Sequence, residues 1–173
     1  MQPKSEQSAQ VLMDAALQRS RAIIEKLFQA ITGDNPALFF DSAEELLHLV
    51  RLIKCLIRSQ YVGVEGRSEL HSKAMPSIRG TVSVGQAELM TFIEKYSPAA
   101  EDREEAFRGL SDLVEDLPLL FYDLLPELFS LRLQLLDPDP HLGEVLFECT
   151  RQLDHMEYHL DVDVDRLKWT NPA

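Results

Sequence analysis

Features that would name a chemistry are scarce in this chain. It has two cysteines in 173 residues, too few for a disulfide framework. Cys55 and Cys149 both lie among leucines, where a small buried hydrophobe is expected. No uninterrupted apolar run approaches the ~18 residues of a membrane-spanning helix. The opening MQPKSEQSAQ has no apolar core of a secretory signal, so a cytoplasmic, reducing setting is the expectation. Glycines are few, and Gly63, Gly66, Gly80 and Gly85 fit neither the Walker nor the dinucleotide-binding spacing. Serine, cysteine and histidine form no readable nucleophile arrangement, and no cofactor is implied. A non-enzymatic protein is therefore favoured over an enzyme.

Positive charge is also short. Seventeen basic residues face twenty-nine acidic ones, a net charge of −12. The excess sits wholly in the C-terminal half: residues 97–173 hold eighteen acidic and six basic side chains, whereas the two signs balance before that. Nucleic-acid phosphate requires a basic footprint, so direct binding to DNA or RNA is disfavoured.

The apolar residues that are present recur at helical spacing. Val11, Leu12, Ala15, Ala16, Ile23, Ile24, Leu27, Phe28 and Ile31 mark a long amphipathic helix from about Ser8 to Gly33. Asn35 can cap a following turn that Pro36 opens, and Ala37–Phe40 would plug the core. Ser42 with Glu45 has the form of a capping box and is expected to start the next helix, Ser42–Tyr61. That stretch is apolar on most of its circumference and is expected to be the central post of the domain. Its narrow polar seam carries His48, Arg51, Lys54 and Arg58.

Residues 62–82 are broken by glycine and proline and read as an irregular or hairpin insertion. Ser83 to Gln86 resembles a second capping box, opening a helix through Tyr96, and Asp102 to Glu105 a third. Pro118 and Pro126 divide the next apolar stretch into two short helices or one kinked one. After the Asp137–Pro140 turn, a last helix at about 140–160 aligns Leu142, Val145, Leu146, Cys149, Leu153, Met156 and Leu160 on one face.

The expected architecture is thus all-α: a single antiparallel, bundle-like domain of about six helices over residues 8–160. It would be flanked by a disordered stretch at 1–7 and a tail at 161–173 that can dock back as an extended segment.

Two functional readings follow. The preferred one is a protein–protein interaction module, an adaptor or a regulator of a partner. A basic patch of Arg51, Arg58, Arg67, Lys73 and Arg79 and an acidic surface of Glu101, Glu104, Glu105, Asp112 and Glu115 would bind a basic partner or a second copy as a homodimer. Charge complementarity of this kind raises association rates and sets specificity. The competing reading is a ligand- or metal-binding helical protein. His155 and His159 stand one helical turn apart and can present two imidazoles to one metal ion. A third ligand would have to come from Asp161, Asp163 or another helix. The bland alternative leaves both histidines solvated on the polar face of an acidic helix, with Glu148 and Gln152 beside them.

Overall fold

A computed structural model describes residues 4–61, 86–96, 100–134, 140–165 and 167. Every described residue outside 33–35 is helical, so the all-α expectation holds. The 62–82 insertion, with Arg67, Lys73, Arg79 and the Ser83 cap, lies outside the described residues, as do residues 1–3 and most of the tail.

Five continuous helices are present among the described residues: α1 (Lys4–Thr32), α2 (Pro36–Tyr61), α3 (Gln86–Tyr96), α4 and α5. Helix α4 runs through Ala100–Pro118, a π-helical Leu119–Leu124, and Leu125–Gln134 without a break. Helix α5 comprises Pro140–Tyr158 and a π-helical His159–Asp163, and stays helical to Asp165. The fusion of two expected helices into α4 reduces the expected six to these five.

The α1–α2 turn ends α1 by a double hydrogen bond. Asn35 N–H reaches Ala30 O at 2.9 Å and Asp34 N–H reaches Ile31 O at 3.4 Å, the pairing of a Schellman C-cap. The left-handed residue of that cap is Asp34, at φ 54°, and not Gly33. Asn35 Oδ1 then accepts the Leu38 amide at 3.2 Å, so α2 begins at Pro36. Ser42 is consequently a buried residue inside α2, not its cap. Asp102 likewise falls inside α4 rather than ahead of it.

Helix α2 buries one stripe, Phe39, Ala43, Leu46, Val50, Ile53 and Ile57, at alternating steps of four and three. Its other side, including His48, Arg51, Leu52, Cys55 and Arg58, is exposed. Cys55 therefore departs from the expected burial, whereas Cys149 meets it. The helix buried on most of its circumference is α4: Leu117, Leu119, Leu120, Phe121, Leu124, Leu125 and Leu128 are all at most 5 % exposed. The central post is therefore α4, not α2.

Its two prolines explain the π segment. Pro118 and Pro126 supply no N–H to the ladder, and each ring crowds the carbonyl four residues earlier. The wider turn between them, with Leu125 N–H bonded to Leu120 O, lets one helix pass both residues. Helix α3 is held against the α1–α2 turn by the aromatic series Phe39, Phe92 and Tyr96, with successive centroids 4.8 Å apart.

Candidate metal centre between α4 and α5

The expected apolar face of α5 is in the core: Leu142, Val145, Leu146, Cys149, Leu153, Met156 and Leu160 are each at most 4 % exposed. The polar stripe that flanks it is buried as well. Glu148, Gln152, His159 and Asp163 are all below 10 % exposed, and His155 is half-buried. This overturns the solvated-histidine alternative. Facing the stripe on α4 are Gly109, Asp112 and Asp116. Gly109 meets His159 and Asp163, whereas Glu127 further along α4 meets His141 at the start of α5, so the two helices run antiparallel.

At the centre of this polar seam stand Asp112, His155 and His159, whose potential ligand atoms lie within 4.8 Å of one another. The two imidazoles meet edge to face at 84°, Nε2 to Nε2 at 3.0 Å. On its other side, His159 Nδ1 lies 2.5 Å from Asp163 Oδ2. An Nδ1–H donated to that carboxylate leaves the His159 Nε2 lone pair directed at His155. Burial, and then the neighbouring His159, hold the His155 imidazole below its ordinary range despite the nearby Asp116 and Asp112. That lowering favours the neutral imidazole, the form a metal requires.

The residues fit a metal ion chemically. Two imidazoles bonded to one ion at ~2.0–2.1 Å and cis to each other bring their nitrogens roughly 3 Å apart. Toward the N-terminus of α5, Arg151 holds Glu148 through Nη2 at 2.5 Å and Nε at 3.2 Å, and Gln152 Nε2 reaches the same carboxylate at 3.2 Å. Burial raises the Glu148 carboxyl, but Arg151 and Gln152 outweigh it and keep Glu148 ionised. Glu148 is thus neutralised by a guanidinium and is not a ligand in this arrangement. Cys149 is no nucleophile: burial first, then Glu148 and Glu127, push its thiol well above the ordinary range.

The other site residues expected from sequence are distributed as follows. Arg51 is exposed and lies 3.6 Å from both Glu157 and Asp161. Arg58 is exposed and lines a small depression with Lys54, Ile57, Thr150 and Leu153. Glu101, Glu104 and Glu105 are exposed on the first turns of α4, with Glu104 3.4 Å from Arg108. Glu115 is half-buried, and Asp112 belongs with the histidines and not with this outer face.

Asp161, Asp163 and Asp165 are all helical. Asp161 and Asp165 are exposed and Asp163 is buried. Sequence reasoning missed Gly109, and it assigned Asp112 to a docking surface. The one trace of the site on α4 is its spacing: Gly109, Asp112 and Asp116 fall three and four apart among leucines. No protein-family model, curated protein or solved structure matches this chain.

Proposed function

We propose that this protein binds a divalent first-row transition metal ion between α4 and α5, through His155 Nε2, His159 Nε2 and the Asp112 carboxylate. The observation that carries the reading is the convergence of these three side chains from two helices to within 4.8 Å. Neutral imidazoles with a single carboxylate suit zinc or ferrous iron better than magnesium or calcium, which prefer all-oxygen sites. Three protein ligands leave at least one coordination position for water or an exogenous ligand. His155 and Asp112 are partly exposed, which supports entry of the ion from solvent.

The test is titration of chelator-treated protein with Zn(II) by calorimetry and with Co(II) by absorption. One ion per chain is expected, with visible Co(II) bands of imidazole coordination. His155→Ala, His159→Ala and Asp112→Ala should each weaken binding by at least tenfold. Absence of saturable binding, or binding indifferent to all three changes, overturns the reading.

A second reading, the interaction module, is favoured by a separate observation: Glu101, Glu104 and Glu105 are exposed together on α4. In its self-association form, this face binds the basic 51–79 region of a second copy. Solution mass at low and high salt tests that form. A dimer that dissociates with salt supports it, and a monomer under both conditions overturns it.

A further inference from the structure

The metal reading leaves unassigned the pair that fixes His159 in place. His159 Nδ1 and Asp163 Oδ2 are 2.5 Å apart, with side chains only 11 % and 6 % exposed. Both rest directly on the bare Cα of Gly109. A Cβ built there would fall 1.9 Å from Asp163 Oδ2, 2.6 Å from His159 Nδ1 and 2.9 Å from Asp163 Cγ. No side chain fits without displacing the hydrogen-bonded pair itself. Gly109 is buried inside α4, where glycine costs roughly 1 kcal/mol relative to alanine in helix propensity. Its presence therefore has a packing reason, and the atoms it admits are those two.

The backbone of α5 is shaped to the same end. From His155 to His159 the chain takes four residues in α geometry, slightly more than one turn. From His159 to Asp163 it takes four residues in the wider π turn, slightly less than one, with Val164 N–H bonded to His159 O. The overshoot of the first step is cancelled by the shortfall of the second. Asp163 thus stays near the azimuth of His155, facing α4.

From this contact we infer that Asp163 is the outer-sphere carboxylate of the metal centre and Gly109 its seat: together they hold the His159 tautomer that points Nε2 at the ion. Both are positioning residues. The inference rests on the metal reading, but it makes a claim that reading does not: metal affinity depends on a residue that never touches the metal. Loss of such an outer carboxylate typically costs ~10–100-fold in affinity.

Asp163→Asn preserves shape and an acceptor oxygen but removes the charge. Gly109→Ala removes the space. Zn(II) affinity is measured for both by calorimetry, with Co(II) absorption as the readout of ligand field and circular dichroism as the check on fold. Asp163→Asn is expected to remain helical, bind Zn(II) ~10–100-fold more weakly and shift its Co(II) bands. Asp163→Glu is expected to recover part of the affinity. A purely structural Asp163 would change thermal stability but leave the Co(II) spectrum alone.

Helical Asp163→Asn protein with wild-type affinity and spectrum overturns the inference while leaving the metal reading intact. Wild-type protein that binds no metal overturns both. Should Gly109→Ala fail to fold, the Asp163 variants decide the matter without it.

Discussion

Lys54 Nζ on α2 lies 2.7 Å from a carboxylate oxygen of Glu157 and 2.7 Å from one of Asp154, both on α5. With Arg51 at 3.6 Å from Glu157 and Asp161, the polar seam of α2 is a clamp onto the acidic outer edge of α5. The two helices run antiparallel, since higher numbers on α2 meet lower numbers on α5. This clamp holds α5 from the side opposite α4, so it braces the helix that carries both histidines.

Lys54→Met is therefore expected to destabilise the fold by about 1 kcal/mol, through the lost pairs and the carboxylates left facing each other. Chemical denaturation measures it, and a cycle with Glu157→Gln isolates the pair. Lys54 holds the Glu157 carboxyl below its ordinary 4.5, outweighing burial, and Arg51 assists. For a depressed carboxylate, the stabilisation is present above pH 4.5 and lost as pH falls through the lower folded value. The wild type should thus lose stability more steeply than Lys54→Met on acidification below 4.5. Parallel acid profiles would show that the clamp contributes nothing.

Ile53, fully buried in the stripe of α2, gives a plain test of the core. Ile53→Ala is expected to cost about 2–5 kcal/mol, as buried large-to-small changes do. Ile53→Asp buries an unpaired charge and should abolish the cooperative thermal transition. A folded Ile53→Asp protein would contradict the placement of this stripe.

The helix-forming patterns were legible in sequence because burial against an apolar core leaves a period. Leu142 to Leu160 on α5 shows this. The polar seam was not legible, for a physical reason. A stripe of Glu148, Gln152, His155 and His159 looks the same whether it faces water or faces Asp112 and Asp116 on another helix. Amphipathicity reports the difference between two faces, not what lies beyond the polar one. Only the antiparallel pairing of α4 with α5 brings Asp112 to the histidines. The Ser42–Glu45 box misled because a cap works only where the helix starts, and Asn35 had already started it.

The turn between α1 and α2 carries the third expectation. Asp34 sits in the left-handed region, where a Cβ is unfavourable but aspartate and asparagine are tolerated better than alanine. Its carboxylate also accepts Lys95 and, at 3.2 Å, the Tyr96 hydroxyl, anchoring α3. Asp34→Ala loses both the backbone tolerance and the anchor, whereas Asp34→Asn keeps the first and part of the second. The melting temperature should fall further for alanine than for asparagine. Equal falls would remove the backbone argument.

The histidines of α5 give the last and sharpest expectation, because two of them are displaced in opposite directions. His141 is raised above its ordinary 6.5, first by its hydrogen bond to Glu127 at 2.7 Å, and then by Glu144 against some burial. His155 is lowered, by burial and by His159. Folding favours the protonated form of His141, so its contribution is complete below pH 6.5 and is lost as pH rises through its higher folded value. Folding favours the neutral form of His155, so its contribution is complete above 6.5 and is lost as pH falls through that value toward the lower folded one. In metal-free protein, proton NMR titration should place the His141 midpoint above 6.5 and that of His155 below it. His155→Gln should reduce the destabilisation on acidification below pH 6.5, while His141→Gln should leave it in place. If the two midpoints coincide, the neutral His155 required for the metal centre is not supplied by this seam.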